Sequence, residues 1–348
     1  MTQSLLRTDI KLITSIMTLG IFISSKIAIV IISLGFLFCL LSSVASAAPT
    51  WHMVNCNTSS QGDCHLLEDN AVYTLIDAGK PDIATKTLVP YLLLRNIDEI
   101  DHFFISHPHT DHYGGLESLK TAGIKVKNIY YNPLPSDVSD FDYKPELFYS
   151  LLSNYEDSGT RLHDVRAGFH LNLPSSKIFV LEAKKERQGD VNDYSIQMVW
   201  DAGGYRVLFT GDLNSKLGSE LANREEFKAD ILKIPHHGVT GIAPNKFFDN
   251  VAPSLLMIPG NKDLWFNPRG TQLREWAIKS WKEKNTHFCS NGFNGDVKIS
   301  FHQSFIELDP QTATQACPNK KWYLEPNDKP PLTGFPLFVP AVNFLLDG

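Results

Sequence analysis

Between His102 and Gly115 the chain reads His-Phe-Phe-Ile-Ser-His-Pro-His-Thr-Asp-His-Tyr-Gly-Gly, which places His107, His109, Asp111 and His112 within six residues. Imidazole and carboxylate are ligands for divalent metals, and a solvated polar turn gives no reason for so dense a group of them. The spacing is not the i, i+4 helical pair of a zinc protease. On a loop bent by Pro108 and closed by Gly114-Gly115, imidazoles at i and i+2 reach one ion, while Asp111 and His112 turn towards a second. Two neighbouring ions with a bridging group and an acidified water make a hydrolase.

The elements that must position these groups follow from apolar runs. Phe103, Phe104 and Ile105 form a short buried strand that stops at the loop. Tyr205 to Thr210 is a strand ending at Gly211-Asp212, where glycine lets the backbone turn the carboxylate into the cleft. Ile231 to Ile234 delivers His236-His237-Gly238. Further strands are expected at Trp51–Val54, Val72–Ile76, Ile124–Tyr131, Ile178–Leu181, Ser195–Trp200, Ser254–Ile258, Asp296–Phe301 and Ser304–Leu308, with Ala202-Gly203-Gly204 closing a hairpin. Helices are expected at Asp82–Arg95, Leu116–Thr121, Ser215–Arg224 and Thr271–Lys284, the second with its first amides facing the metals. Two successive sets of strands followed by helices imply an α/β protein, a four-layer αββα sandwich with the loops of both halves meeting at one edge. Asn132 to Leu162 breaks the pattern and reads as an insertion, which either shapes access to the site or packs its aromatics on the body.

The run from His107 to His112 matches the His-x-His-x-Asp-His signature of the metallo-β-lactamase superfamily. Phe209-Thr210-Gly211-Asp212 and Ile234-Pro235-His236-His237-Gly238 resemble that family's later metal sites. More narrowly, the chain resembles the hydrolase domain of ComEC-like DNA-uptake proteins from about Trp51 to Phe301, with Gln61-Gly62-Asp63, Leu75-Ile76-Asp77-Ala78-Gly79, Asp193-Tyr194-Ser195 and Pro235-His236-His237-Gly238 in the family's order. The resemblance implies that His107 and His109 hold a first metal, that Asp111, His112 and His237 hold a second, and that Asp212 bridges them. It makes His236 a general acid or substrate contact, and Asp77 a carboxylate that orients a ligand His. It also implies two zinc ions, with manganese the alternative. Two departures stand out. The superfamily's third His for the first metal has no counterpart between Tyr131 and Asp212, where His163 and His170 lack its His-Gly context, so the first site is either weak or completed by Asn192, Asp193 or His170, and Asn267 in Phe266-Asn267-Pro268 stands where ComEC-like relatives tend to carry His.

The formal charge is −6. The first 47 residues hold three of the 32 basic side chains (Arg7, Lys11, Lys26) and one of the 38 acidic ones (Asp9), leaving 29 against 37, a balance of −8. That argues against stable, sequence-independent nucleic-acid binding but not against a small or polymeric anionic ester held by metals. Sparse positive charge, the uncharged run Ile27 to Leu41 and the small residues Ala45 and Ala47 read as an export signal over residues 1–47. The hydrolase domain then spans 48–309 in the periplasm or outside the cell, with an extension over 310–348 whose apolar Phe335–Leu346 packs back on the body. Left uncleaved, the signal is the one membrane attachment. Cys56, Cys64, Cys289 and Cys317 form an even set in the exported part, with Cys56–Cys64 and Cys289–Cys317 the simplest pairing and buried free thiols the alternative.

Three functions fit these readings. The first is exported hydrolysis of phosphodiesters or other phosphate esters, with Asp111, Asp212 and His236 in the reaction. The second is hydrolysis of an amide, thioester or lactone, β-lactams included. The third is a non-enzymatic surface protein that keeps a metal.

Overall fold

The computed structural model describes residues 47–323 apart from Ser59, Arg187 and Thr240. The expected export signal, Ala47 aside, and the apolar stretch Phe335–Leu346 lie outside the described residues. From Ala48 onward the described chain forms one compact unit.

Alternation along the strands decides the layers. In Cys64–Asp69, Val72–Ala78, His102–Phe104 and Asn128–Tyr131, the side chains of Leu67, Ile76, Phe104 and Tyr130 enter one core, while their neighbours Leu66, Leu75, Phe103 and Ile129 enter another. In Tyr205–Phe209, Ile231–Lys233 and Leu255–Ile258, Val207, Phe209, Ile231, Leu255 and Met257 join the first core, and Leu208, Leu232 and Leu256 enter a third. Strands apolar on both faces must be covered on both. Two sheets therefore stack on the shared core. Helices Pro81–Lys86, Leu88–Leu93, Gly115–Thr121 and Pro145–Glu156 close one outer face, and Ser215–Leu221, Asn245–Val251 and Thr271–Lys284 close the other. This is the αββα sandwich that the alternation of elements implies.

The first sheet runs Lys320–Trp322, Ile306–Pro310, Val297–Phe301, Thr50–Met53, Cys64–Asp69, Val72–Ala78, His102–Phe104, Asn128–Tyr131, Arg161–Asp164. The second runs His287–Ser290, Leu255–Ile258, Ile231–Lys233, Tyr205–Phe209, Gln197–Ala202, Ser176–Glu182, His170–Asn172. Val72–Ala78 pairs in parallel with His102–Phe104, and Tyr205–Phe209, Ile231–Lys233 and Leu255–Ile258 are parallel neighbours. Parallel strands release their C-terminal loops on one side, which is how Asp77, the His107–His112 loop, Asp212 and His236-His237 come to share an edge.

Several elements differ from expectation for identifiable reasons. The helix expected over Asp82–Arg95 is broken at Thr87 (φ −121°, ψ −70°), because Pro90 has no N–H for the Lys86 carbonyl. The insertion contains a twelve-residue helix, Pro145–Glu156, whose Phe148, Leu152 and Tyr155 are buried at helical spacing, so most of its aromatics do pack on the body. Ile124–Tyr131 divides into Lys125–Val126, paired with Glu99–Ile100, and Asn128–Tyr131 in the main sheet. Gly115 donates its N–H to the Gly79 carbonyl, so the amides that begin Gly115–Thr121 do not all face the metal loop. The extension expected from residue 310 contributes a strand to the first sheet, where Lys320–Trp322 pairs with Ile306–Pro310.

Both cysteine pairs, Cys56–Cys64 and Cys289–Cys317, are disulfides. The second ties an edge strand of one sheet to the segment leading to an edge strand of the other. Among the described residues, no helix is long and apolar enough to cross a membrane.

Candidate metal centre

The next-to-last residue of strand Val72–Ala78 is Asp77, held at φ +57°. That left-handed turn aims both carboxylate oxygens at the metal loop: Oδ1 accepts from the Ser106 N–H at 2.8 Å, and Oδ2 pairs with His112 Nδ1 at 2.8 Å. With Nδ1 engaged, His112 must present Nε2 to the cleft. The short helix Thr110–Tyr113 places Asp111 beside it.

His237 is fixed by a matching arrangement. Its Nδ1 lies 3.0 Å from the Pro259 carbonyl and 3.2 Å from Asp63 Oδ1, leaving Nε2 to face Asp111 and Asp212. Asp63 is fully buried against the Lys233 ammonium, which also donates to the Gly211 carbonyl at 2.9 Å. Gly211 (φ +49°) has no room for a Cβ, which would meet Ser195 at 2.8 Å, and the Asp212 N–H donates to the Ser195 hydroxyl at 3.0 Å. His236, His237 and Gly238 follow one another at positive φ (49°, 53° and 86°), a strained turn of the kind found at ligand clamps.

The result is a convergence of unpaired atoms. His112 Nε2 lies 3.3 Å from Asp212 Oδ2 and 3.7 Å from Asp111 Oδ1; His237 Nε2 lies 3.4 Å from Asp111 Oδ2 and 3.6 Å from Asp212 Oδ2. Both Nε2 atoms and Asp212 Oδ1 are buried without a hydrogen bond of ordinary geometry. Ligand bonds of about 2.0–2.1 Å in a tetrahedron set ligand atoms about 3.3–3.4 Å apart, so these separations suit one divalent ion. His107, His112 and Asp212 form a second such group. His107 Nε2 lies 3.1 Å from His109 Nδ1, its Nδ1 meets the Ser106 hydroxyl at 3.1 Å, and His109 Nε2 meets Asp140 Oδ2 at 2.8 Å. All the ligand residues named in the sequence therefore meet at one edge, and Asp212 is common to both halves.

Electrostatics follow from this crowding. Burial opposes charge on His112 and His237, but Asp212, Asp77 and Asp111 raise His112 well above 6.5, and Asp212, Asp63 and Asp111 raise His237 to about 10. Asp212 and Asp63 are held well below the usual carboxylate range despite burial, the first by the surrounding histidines and the second by Lys233 and His237. Burial pushes His107 well below 6.5, with His112 and His109 adding to it. In the metal-free protein, protons on His112 and His237 balance charge that divalent ions would otherwise balance.

His236 stands at the rim, its side chain 23% exposed and its Nε2 3.7 Å from Asp212 Oδ2. Asn214 donates its amide N–H to Asp190 at 3.0 Å, so its Oδ1 is left to accept from His236 Nδ1 at 3.0 Å. That fixes which ring nitrogen of His236 faces the cleft.

The residues weighed as a third ligand of the first site fare differently. His170 is exposed on an edge strand, stacked on Phe179. Asp193 is buried in the turn Val191–Tyr194, and burial beside Asp190 raises its pKa. Neither joins a ligand cluster among the described residues. Asn192 is buried with an unpaired Oδ1. Asn267 accepts from the Arg269 N–H and caps the turn Pro268–Gly270.

Sequence reasoning gave no role to Lys233, Ser106, Asn214 or Asp140, and noted Asp63 only as part of a motif. Lys233 had a signal, since a lysine inside the apolar strand Ile231–Ile234 needs a buried partner. Asp140 had none, sitting among Asp137 and Asp142 in a polar stretch.

Comparison with known proteins places the chain in a family of folds. The family model of the metallo-β-lactamase superfamily matches residues 57–243. The ComE operon protein 3 of Bacillus subtilis (strain 168) is 26% identical over 182 residues, 52% of this chain and 22% of that protein, so the chain spans about a fifth of that relative's length. Among solved structures, CmlA, a diiron β-hydroxylase from Streptomyces venezuelae, is 11% identical with a TM-score of 0.51, covering 74% of this chain and 55% of its own. The metallo-β-lactamase fold protein YhfI from Bacillus subtilis is 14% identical with a TM-score of 0.46, covering 70% and 96%. At these identities the structural likeness is one of fold.

Proposed function

The chain belongs to the metallo-β-lactamase superfamily and is a metallo-hydrolase of it, and we propose that it is an exported enzyme that uses two divalent ions, zinc in the first instance, to cleave phosphodiesters or other phosphate esters. The observation that carries this reading is the pair of buried clusters, Asp111, His112, His237 and His107, His112, Asp212, with unpaired Nε2 atoms turned towards shared carboxylates. In this assignment His107 and His109 would hold one ion, Asp111, His112 and His237 the other, and Asp212 would serve both. Bound there, the ions would acidify a water and screen the anionic oxygens of an ester. A donor set of imidazole and carboxylate without thiolate suits zinc and also admits manganese.

The chain's own groups do the rest. Asp77 and Asp63 fix His112 and His237, and Asp212, turned inward at Gly211, aligns the attacking water with the ester. Held by Asn214 through Nδ1, His236 directs Nε2 to the place where a leaving group departs: its imidazolium form gives the Nε2 proton to that group, and the proton lost by the attacking water restores it. A phosphate-ester substrate is supported by the ComEC-like relationship. Export is supported by the two disulfides, which persist in oxidising compartments.

The test is turnover of an activated phosphodiester set against a panel of β-lactam, thioester and lactone substrates, each with and without chelator. Chelator-sensitive cleavage confined to the phosphodiester is expected. Cleavage confined to acyl substrates replaces the substrate class, and inert, metal-replete protein replaces the enzyme with a metal-binding surface protein.

A further inference from the structure

Three ligand histidines of the proposed centre are each held from behind by a carboxylate, and the third carboxylate comes from an unexpected place. Asp77 holds His112 and Asp63 holds His237, both from strand ends beneath the site. His109 is met by Asp140, which belongs to the insertion between the strands Asn128–Tyr131 and Arg161–Asp164.

We propose that Asp140 is the positioning residue of His109, so that the insertion is a working part of the first metal site rather than a surface excursion. The proposal rests on the two-metal reading above. Its geometry is specific. His109 points Nδ1 at His107 Nε2 (3.1 Å) and Nε2 at Asp140 Oδ2 (2.8 Å), so the ring has one nitrogen for an ion and the other as an N–H donor to a carboxylate. Such a pair sets the tautomer, fixes the ring plane and raises the basicity of the liganding nitrogen.

The turn carrying Asp140 is built to hold that contact. Asp140 Oδ1 accepts from the N–H groups of Asp142 and Tyr143, both at 2.8 Å, which curls the chain back towards the loop. Tyr143 is buried 6.0 Å from Phe148 in the core under the insertion helix. Asp142 Oδ1 accepts from the hydroxyl of Thr110, the residue next to His109, at 2.5 Å. The turn is thus docked by its neighbour on the metal loop and anchored by an aromatic in the core. In a half-site that lacks the superfamily's third His, a clamp on His109 raises affinity.

Asp140→Asn separates this role from a structural one. Asparagine keeps an oxygen for the Asp142 and Tyr143 amides, but its amide group cannot accept from His109 Nε2–H. The probes are cobalt(II) and zinc, titrated into metal-free protein. For Asp140→Asn the weaker equivalent should bind about 10–100-fold less tightly and its cobalt absorption bands should change, while the tighter equivalent and the melting temperature of the metal-free protein stay as in wild type. Phe141→Ala, in the same turn, should bind both equivalents as wild type does. A second readout needs no ion: imidazole nitrogen NMR of the metal-free protein should show His109 as the Nε2–H tautomer, and Asp140→Asn should disturb it. Unaltered metal binding and an unaltered His109 ring in Asp140→Asn would overturn the proposal. Wild-type protein that takes up fewer than two equivalents would defeat the two-metal reading, and the ring measurement would still decide Asp140.

Discussion

The two halves of the proposed metal centre differ less in what they offer a metal than in what stands behind it. In the inner half, His112 and His237 are backed by Asp77 and Asp63, buried carboxylates at strand ends, and Asp63 is itself pinned by Lys233. In the outer half, His107 is backed by the Ser106 hydroxyl, and His109 by a carboxylate on an inserted turn that is 31% exposed. Counting ligands would rank the halves nearly equal. Anchoring ranks them clearly, because a side chain already locked in its binding rotamer loses little entropy when the ion arrives. The inner site should hold its ion tightly and the outer site should exchange.

The most severe way to break that contrast is to remove the group both halves share. Asp212→Ala should drop turnover to the background rate and lower metal content, with little change in fold, because Asp212 lies in a turn beyond Tyr205–Phe209 and not in an apolar core. Activity assay, elemental analysis and circular dichroism check this together, and near-normal turnover would remove Asp212 from the reaction.

Next in size is the support of the inner half. Lys233→Met leaves Asp63 buried without its cation and should cost about 3–5 kcal/mol of stability by denaturant titration. Adding Asp63→Asn removes the orphaned charge and should restore most of that loss. The tight metal equivalent should stay weakened in the double variant, because His237 has lost the carboxylate beside its Nδ1. Recovery of stability and metal affinity together would mean that Asp63 serves the fold alone.

The disulfides sharpen the same distinction from the chain-entropy side. Cys289–Cys317 spans 28 residues and Cys56–Cys64 spans 8, so loop closure alone assigns them about 3.6 and about 2.5 kcal/mol. The shorter bridge brackets the loop leading to Asp63, whose N–H donates to the Asp111 carbonyl. The double Cys→Ser variant at 289 and 317 should therefore lose more stability, and the one at 56 and 64 more metal affinity. Melting curves and metal titration would expose a reversed order.

Metal removal carries a pH signature that belongs to the inner half. His237 is raised from 6.5 to about 10 and His112 is also raised, so in the metal-free protein their contribution to stability is full below about pH 6.5 and fades as pH climbs towards 10. Metal-free protein should thus melt progressively lower across that window, whereas loaded protein, whose ligands are already deprotonated, should not. Loading at neutral pH should release protons, which calorimetry in buffers of different ionisation enthalpy would count. Proton-neutral loading would contradict the protonated state assigned to His112 and His237.

How much of this was legible in the sequence follows from where each signal resides. The metal loop, Asp212 and the His236-His237 pair announce themselves because dense histidines and a glycine-turned aspartate after a strand have few other uses. The layers were legible from two successive sets of strands followed by helices. The strand Cys64–Asp69 was missed because Cys-His-Leu-Leu-Glu-Asp does not alternate, although it is buried nearly throughout. Supporting groups were mostly illegible: Asp63 and Asp140 act at sequence separations of 174 and 31 from the histidines they hold, and only the fold brings them there. Asp77 was legible through resemblance alone.

The smallest effect expected is at His236, which touches neither half as a buried ligand does. Its Nδ1 is tied to Asn214 and its Nε2 faces the carboxylate that spans the halves, so it can move a proton without being needed to hold an ion. His236→Ala should leave metal stoichiometry unchanged. Its cost should then depend on the leaving group: a nitrophenolate departs unaided and should be released at nearly the wild-type rate, while an alkoxide needs a proton and should slow by about 10²-fold or more. Plotted against leaving-group pKa, the variant should give a steeper line than the wild type, meeting it at the good-leaving-group end. Parallel lines would mean that His236 contributes substrate binding rather than proton transfer, and a loss of one metal equivalent would move His236 from the rim of the site into its ligand set.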